Sequence, residues 1–263
     1  MDINIGDFVT RISHNHDMVF KVIKIDDDIA TLKGMNVRLI ADSLITDLVK
    51  SEYVPSDDSE EVERFKDSTD LDRDDYFYLP GKILHIDGDS EYLERCLKYY
   101  NNVNLMAMGI CIEESEVSSK IKDYLLEYNP NILVITGHDA YYSKKGNTKD
   151  INNYKNSINF VNAVKEARRY EKSHDKLIII AGACQSDYEE LIRAGANFAS
   201  SPKRVNIHAL DPAIIACYVA KTDRCEIINL DKILSKTKYG KEGIGGVISY
   251  GVMLTGAPRK GKN

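Results

Sequence analysis

The chain has 263 residues, of which 43% are apolar, and its formal net charge is −6. This length supports one sizeable core or a large and a small domain, and the acidic balance gives no basic footprint for nucleic acid. No secretory signal is visible at the start, and the apolar runs fall well short of the ~20 residues of a membrane helix. We therefore expect a soluble, cytoplasmic protein with no nucleic-acid or membrane partner.

Residues 1–50 are predicted to form a small β module. Four short segments are rich in β-branched residues and are separated by turn or charged residues: GDFVTRI, MVFKVIKID, IATLKGM and VRLIADS. Asp26–Asp28 and the Lys33-Gly34 pair indicate hairpin turns. The pattern favours a five-stranded, SH3-like barrel.

Residues 51–79 differ sharply in composition from what precedes them. Between Ser56 and Asp75 ten acidic residues stand against three basic ones, and few residues are apolar. Such a stretch cannot bury much surface of its own. We predict an acidic linker there, mobile or only loosely docked.

Residues 80–263 are predicted to form one α/β domain. Nearly continuous apolar strands such as KILHIDGD, VNLMAMGI, NILVITGHD and KLIIIAGA alternate with amphipathic helices such as SEYLERCLKYYNN and SINFVNAVKEARRYE. This alternation indicates a parallel sheet that helices cover on both faces. In such sheets, catalytic groups gather at the carboxyl ends of the strands.

Two of these strand ends carry the residue types of a thiol hydrolase. His138 follows NILVIT and Gly137, and Cys184 follows KLIIIAGA, 46 positions later. Since one helix separates the two strands, we expect them to be neighbours, so that the imidazole can hydrogen-bond the thiol or activate it. A helix predicted just after Cys184 would favour a thiolate, and its amides would help to hold an oxyanion.

Strand–His followed by strand–Ala-Cys resembles the caspase–gingipain–legumain group of cysteine peptidases. Longer stretches are similar to the narrower YabG family of sporulation-specific proteases, notably IGDFVTRISHNHDMVFKVIKI, ILHIDGD, ITGHDAY and GACQSDYEELIRAGANFASSPKRVNIHALDP. The resemblance runs from Ile5 to about Pro258. It implies a caspase-like domain with Cys184 as nucleophile and His138 as its acid–base partner.

The same resemblance implies a biological role. It indicates an endopeptidase that processes spore coat and cortex-associated proteins in the mother cell, with association with the spore coat as a second location. Cleavage after basic residues, chiefly Arg, and self-processing are also implied. Protein substrates are therefore the expected partners.

The oxyanion site and the specificity pocket are less directly indicated. The broader peptidase group usually has Gly after the catalytic His, whereas Asp139 stands here; we expect its amide and that of Cys184 to face the oxyanion. Selection of Arg requires a carboxylate. Gly182 occupies a position where related enzymes often have Asp, which leaves Asp87 and Asp89 as candidates. Asp89 suits an N-cap of the next helix, so Asp87 is slightly the better choice for the pocket.

Weaker signals come from the C-terminal third. His208 and Asp211 in NIHALDP are candidates for substrate binding, and the Gly-rich residues 240–256 are predicted to form a mobile wall of the cleft. Five scattered cysteines without a C-x-x-C pair favour neither a disulfide nor a metal, and no cofactor is indicated. The oligomeric state is left open.

Two alternative functions are weighed against the peptidase. A glutamine amidotransferase-like hydrolase would need G-x-C-x-G and a later H-x-E, whereas this elbow is Gly-Ala-Cys-Gln-Ser and the well-placed His precedes the Cys. A non-catalytic module for assembly or binding in the spore coat would tolerate substitution of His138 and Cys184.

Overall fold

The computed structural model describes residues 3–53, 58–68, 77–142 and 148–256. The N-terminal segment forms one antiparallel sheet of five strands in the order β4-β3-β2-β1-β5. The strands are β1 Phe8–Arg11, β2 Phe20–Asp26, β3 Ile29–Gly34, β4 Ile40–Leu44 and β5 Leu48–Lys50. Short 3₁₀ turns at Ile12–His14 and Ile45–Asp47 connect them. The predicted turn at Asp26–Asp28 is present, because Asp26 pairs with Ile29 across it.

The second predicted hairpin turn is wrong. Lys33 and Gly34 lie inside β3 rather than in a turn, and the strand expected to start at Val37 begins only at Ile40. Residues 35–39 instead form the loop that joins β3 to β4, and the Gly34 amide closes it by donating to the Leu39 carbonyl at 2.8 Å. Val37 and Leu39 in this stretch form backbone bridges with His208 and Asp139, outside their own sheet. The local pattern of β-branched residues predicted a strand because it does not reveal these distant partners.

Part of the predicted acidic linker is a helix. The helix α1 spans Ser59–Ser68, and its residues Val62 and Phe65 are buried. The Phe65 ring packs edge-on against Tyr218, with 5.0 Å between ring centroids. The prediction of a loosely docked segment was therefore wrong for residues 58–68, and residues 77–79 form a short strand; the stretches 54–57 and 69–76 lie outside the described residues.

The predicted parallel sheet flanked by helices is confirmed. Its six strands follow the order β12-β11-β10-β9-β7-β8 and are parallel except for the edge strand β12. They are β7 Ile83–Asp87, β8 Ala107–Cys111, β9 Ile132–Thr136, β10 Ile178–Ala181, β11 Phe198–Ser200 and β12 Ile244–Gly246. A two-stranded sheet pairs β6 Phe77–Leu79 with β13 Leu254–Gly256.

Helices cover both faces of the six-stranded sheet. The longer ones are α2 Ser90–Asn102, α3 Glu114–Tyr128, α4 Ser157–Tyr170 and α6 Asp211–Lys221; the shorter ones are α5 Tyr188–Ala194, α7 Leu230–Leu234 and α8 Gly240–Gly243, with a 3₁₀ turn at Ile151–Asn153. Alternate strand residues face the two layers: Ile83, Ile132 and Ile178 pack with α2 and α6, whereas Leu84, Leu133 and Ile179 pack with α3 and α4. In the portion of the chain covered by the structure, no helix has the length and apolarity to cross a bilayer.

The Gly-rich residues 240–256 are not a wall of the cleft. Their first half forms α8 and then β12, which pairs antiparallel with β11 and completes the sheet. Their last residues form β13. The prediction was wrong because glycines in a short edge strand resemble glycines in a loop when the pairing partner is not known.

We expect the packing of α1 to contribute measurably to stability. Replacing the buried Phe65 by Ala removes a ring from the interface with α2 and α6 and should lower the free energy of unfolding by about 3–5 kcal/mol. Urea unfolding followed by circular dichroism measures this change. Arg64→Ala, on the exposed side of the same helix, is the matched control and should cost less than about 1 kcal/mol. Equal unfolding midpoints for the two variants would show that α1 does not dock.

Candidate active site

The carboxyl ends of β7, β9 and β10 bring the predicted residues to one edge of the sheet. Asp87 ends β7 beside Thr136, the last residue of β9, and Ala181 ends β10 beside Ile135. The strands before His138 and Cys184 are thus neighbours, as the sequence predicted. Their two loops leave the sheet at the same edge.

His138 is held by two carboxylates. Its backbone amide donates to Oε1 of Glu114 at 2.8 Å, and its ring Nε2 lies 2.9 Å from Oδ2 of Asp89. Because the Asp89 carboxylate only accepts, Nε2 carries the hydrogen in this pair. The other ring nitrogen, Nδ1, is buried and has no hydrogen-bond partner among the described residues. The ring is thereby fixed in a tautomer whose free nitrogen can take up a proton.

Asp89 performs several tasks. Its Oδ1 accepts hydrogen bonds from the amides of Glu91 and Tyr92, which makes it the N-cap of α2, and its Oδ2 pairs with Nζ of Lys33 at 2.6 Å as well as with His138. Burial would raise the pKa of Asp89, but the hydrogen bonds from His138 and Lys33 outweigh it and hold the pKa well below its ordinary value. The carboxylate is therefore ionised and fully engaged. Its role in orienting His138 was missed in the sequence.

Asp87 binds a guanidinium in the interior of the protein. Both Asp87 and Arg38 are fully buried, and Nη1 of Arg38 lies 2.5 Å from Oδ2 of Asp87. Thr136 donates to the same oxygen at 2.8 Å, and the amide of Asp89 donates to Oδ1 at 3.0 Å. Burial raises the pKa of Asp87, but the Arg38 charge more than compensates and lowers it to about 2.

A chain of hydrogen bonds leads from Tyr100 to the Asp87 carboxylate. The Tyr100 hydroxyl lies 2.9 Å from Nδ1 of His85, and Nε2 of His85 lies 2.8 Å from Oγ1 of Thr136, which in turn donates to Asp87. Burial lowers the pKa of His85, so the ring is neutral and relays hydrogen bonds without adding charge. The chain fixes the orientation of the Asp87 carboxylate.

Cys184 lies in the tight turn that follows β10. Gly182 starts the turn with φ +105°, a left-handed conformation that disfavours a side chain, and the Ala183 amide donates to Oγ of Ser186 at 2.9 Å. The Cys184 thiol is fully buried, and the Ile207 amide donates to its sulfur at 3.2 Å. Burial raises the pKa of the thiol to about 12, although the hydrogen bond from the Ile207 amide and the Arg38 charge oppose the rise. The thiol is neutral in this structure.

The expected stabilisation of a thiolate by a helix N-terminus is wrong. The helix α5 begins at Tyr188, four positions after Cys184, and Asp187 caps it by accepting from the Glu190 amide at 3.3 Å. Nor does the expected direct hydrogen bond between His138 and Cys184 form, since the sulfur bonds to Ile207 and the imidazole to Asp89.

Asp139 joins the two loops. Its carboxylate accepts hydrogen bonds from four groups on three segments: the amides of Ala140 and Asn156 at 2.9 and 2.8 Å, and the hydroxyls of Ser157 and Ser186 at 2.5 and 2.8 Å. Burial raises the pKa of Asp139. The side chain thus ties the His138 loop to the turn that carries Cys184, which explains why the position after His138 holds Asp rather than Gly.

His208 and Asp211 shape the loop opposite the thiol. Oδ2 of Asp211 accepts from the His208 amide at 3.0 Å, and Oδ1 accepts from the Lys238 amide at 2.8 Å. Burial raises the pKa of Asp211 to about 6 and, with the nearby Arg95 charge, lowers the pKa of His208 to about 4. The pair fixes the backbone of residues 207–209, from which Ile207 reaches Cys184.

Three further residues of the site escaped the sequence analysis: Glu114, Lys33 and Arg38. Glu114 left an indirect signal in Gly88 and Gly137, because a Cβ on either glycine would collide with its carboxylate. Lys33 and Arg38 come from the N-terminal module, and nothing in their local sequence points to a site some 50 positions downstream.

A wide cavity elsewhere does not carry this chemistry. It measures about 1070 Å³ and is lined by residues that precede the strands, among them Lys82, Asn131 and Leu177. Those positions lie at the amino-terminal edge of the sheet, opposite His138 and Cys184. None of the predicted site residues lines it, so residue chemistry rather than cavity size locates the site.

Comparisons with known proteins agree with the sequence resemblance. The family model described as YabG peptidase U57 matches residues 4–258. The sporulation-specific protease YabG of Bacillus subtilis (strain 168) is 43% identical over a 288-residue alignment that covers 99% of each chain. No solved structure matches the chain.

We expect the buried ion pair to make stability sensitive to acid. The pKa of Asp87 is about 2 in the folded protein, against 3.8 ordinarily, so its ionised form stabilises the fold above pH 3.8. That contribution, about 2 kcal/mol, is lost as the pH falls from about 4 to about 2. Asp87→Asn should lack this component of acid sensitivity and should also cost about 3–5 kcal/mol at pH 7, because Arg38 is left buried without a counter-charge.

Urea unfolding between pH 7 and pH 2 measures both effects. Asp42→Asn, at an exposed position of β4, is the control and should follow the wild-type pH profile. A variant at Asp87 that loses as much stability as wild type between pH 4 and pH 2 would contradict the assignment.

Proposed function

The chain belongs to the YabG family of peptidases, and from this membership and the geometry of the site we propose that it is a cysteine endopeptidase. Cys184 is the nucleophile and His138 the general acid–base. One observation supports this assignment above the others: a carboxylate holds Nε2 of His138 while Nδ1 is buried without a partner among the described residues. An unpaired buried nitrogen is costly, and a proton-transfer role accounts for it.

In the proposed reaction a substrate peptide lies between the thiol and the imidazole. Cys184 loses its proton to Nδ1 of His138 and attacks the carbonyl carbon, and the amides of Asp139 and Cys184 face the oxyanion. The imidazolium then protonates the departing amine. Water hydrolyses the thioester and restores the thiol. Asp89 stabilises the transient imidazolium through Nε2.

We propose Asp87 rather than Asp89 as the carboxylate that selects Arg. Asp87 already binds a guanidinium in a fully desolvated setting, and the chain from Tyr100 through His85 and Thr136 keeps its orientation. Asp89 is occupied as the N-cap of α2 and as the partner of His138. His208 and Asp211 then act on the substrate indirectly, by fixing the backbone of residues 207–209.

The wider proposal follows the family. The curated relative is named as a sporulation-specific protease, and we take spore coat and cortex-associated proteins, cut in the mother cell, as the substrates here, with self-processing of the chain. We also propose the division into an SH3-like barrel over residues 1–50, a connecting segment over 51–79 and a caspase-like domain over 80–263. His138 and Cys184 at the ends of neighbouring parallel strands support the last of these.

The nucleophile and its partner are tested by single substitutions. Cys184→Ala and His138→Ala should each lower cleavage of a fluorogenic peptide with Arg before the scissile bond by about 10³-fold or more, because both remove a group from the reacting centre. Circular dichroism should show an unchanged fold. Cys225→Ala, at an exposed cysteine away from the strand ends, is the control and should keep wild-type activity. Near wild-type cleavage by either variant would favour the non-catalytic spore-coat module.

The specificity residue is tested by comparing Asp87→Asn with Asp89→Asn. Losing one member of a desolvated charge pair costs about 2–5 kcal/mol, so Asp87→Asn should reduce kcat/KM for an Arg peptide by tens- to thousands-fold. Its effect on the matched Ala peptide should be smaller, so that the preference for Arg falls. Asp89→Asn should slow both peptides alike, because it disturbs His138. If the two variants keep the full preference for Arg, the acidic pocket lies elsewhere.

A further inference from the structure

Residues 36–39, here called the 36–39 segment, belong to the loop between β3 and β4 and pair with the backbone of the candidate site through isolated bridges. The Arg38 amide donates to the carbonyl of Ile207, and the Ala209 amide donates to the carbonyl of Asn36, each at 3.3 Å. Val37 and His208 form an antiparallel bridge between these two bonds. Asn36 and Arg38 therefore pair with one backbone edge, that of residues 207–209, before the chain turns at Leu39.

The side chain of Arg38 fills the pocket that we assign to substrate arginine. Its guanidinium pairs with Asp87, donates through Nε to the Ala209 carbonyl at 3.1 Å and lies over the Tyr92 ring, 5.0 Å from the centroid. The Tyr92 hydroxyl donates to the Val37 carbonyl at 2.7 Å. Asp87 of the α/β sheet thus binds the segment through the charge of Arg38, and Tyr92 of α2 binds its backbone.

The bond that follows Arg38 joins two residues that contact the two proposed catalytic loops. The Arg38 amide donates to the carbonyl of Ile207, whose own amide donates to the Cys184 sulfur at 3.2 Å, and Leu39 forms a parallel bridge with Asp139, the residue after His138. The peptide that joins Arg38 to Leu39 therefore runs from the backbone edge that holds the thiol towards the His138 loop. The chain bends there, since the Leu39 amide donates to the Val37 carbonyl at 2.8 Å.

A purely structural role accounts poorly for this arrangement. The other side chains of the segment make apolar contacts, with Val37, Leu39, Cys184 and Ile207 in one cluster with the core of the N-terminal sheet. A buried ion pair is often no more stabilising than apolar residues of similar volume, because desolvating both charges costs several kcal/mol. Docking alone therefore does not require a guanidinium at position 38, whereas occupation of an arginine pocket does.

We propose that the 36–39 segment is a built-in substrate: it closes the cleft, and the chain's own site cuts the Arg38–Leu39 bond to open it. This inference rests on the proposed function and adds the bond and the state that it controls. The Cys184 sulfur attacks the Arg38 carbonyl carbon, the bond to the Leu39 nitrogen breaks, and that nitrogen leaves with a proton from His138. One water then hydrolyses the thioester, giving an Arg38 carboxylate and the free thiol.

The cut places paired strands of the N-terminal sheet on two different fragments. β1, β2 and β3 fall in residues 1–38, whereas β4 and β5 fall in residues 39–263, and β3 pairs with β4 as β1 does with β5. The two fragments should therefore stay associated in native buffer and separate only in denaturant. The cut frees the new chain ends at the cleft, which allows Arg38 to leave Asp87.

Intact-mass measurement in denaturant tests the bond. Freshly purified full-length chain should convert with time into residues 1–38 and 39–263, and hydrolysis of the Arg peptide should show a lag that ends as the cut completes. Cys184→Ala should stay whole. Arg38→Lys keeps the charge but not the paired donors, and it should be cut at about one tenth of the wild-type rate or more slowly. Arg64→Lys, on the exposed face of α1, is the matched control and should be cut like wild type.

The outcomes separate this inference from the proposed function. If wild type hydrolyses the Arg peptide without a lag while its Arg38–Leu39 bond stays whole, the built-in substrate is wrong and the peptidase stands. In the Arg38→Ala variant the cleft should be open. If neither the peptide nor the chain is cut, and alkylation of Cys184 in this variant does not change peptide hydrolysis, the peptidase itself is wrong. Arg38→Lys guards against misfolding of the Ala variant, because it preserves the counter-charge of Asp87.

Discussion

The ion pair between Arg38 and Asp87 is the contact on which the rest of the site depends. Both partners are fully buried, so each would carry a large desolvation cost without the other. Asp87 also accepts from the Asp89 amide, and this bond sets the loop from which Asp89 reaches His138. The position of the N-terminal sheet, the cap of α2 and the orientation of the imidazole therefore share one anchor.

The same anchor determines the state of the Cys184 thiol, the proposed nucleophile. As long as Arg38 is in place, its segment and Ile207 bury the Cys184 thiol and raise its pKa to about 12, far above neutral pH. Very little thiolate then exists, and the sulfur is a poor nucleophile. Admission of water and a polar peptide would remove the main cause of the shift, which is burial. Covering the cleft and silencing the thiol are thus one physical event.

The sequence predicted what local periodicity controls. The helix over residues 90–102 was predicted with the observed bounds, and the strand ends that carry His138 and Cys184 were predicted to be neighbours, because one short crossover leaves little choice. Features set by distant partners were not predictable. Arg38 lies in a stretch that reads locally as a β-strand, and only its contact with Asp87 gives it another role.

Average composition is a poor guide to structure where a few residues outweigh many. The acidic stretch around α1 is polar on average, yet Val62 and Phe65 stand one helical turn apart and suffice to dock it. A similar limit applies to the thiol: the sequence placed a helix after Cys184 but did not show that Asp187 would cap it. Averages over a window lose the position of a single side chain, and single side chains decide docking and capping.

The distribution of charge gives the position of the 36–39 segment a thermodynamic consequence. Carboxylates of the α/β sheet crowd this edge, with Asp87, Asp89 and Glu114 around the His138 loop, whereas the cations that pair with the first two, Arg38 and Lys33, come from the N-terminal sheet. Withdrawal of Arg38 would leave Asp87 buried, oriented by Thr136 and without its counter-charge. A desolvated carboxylate in that position is unfavourable until another guanidinium arrives. The departure of the segment would therefore create the affinity for arginine that the proposed specificity requires.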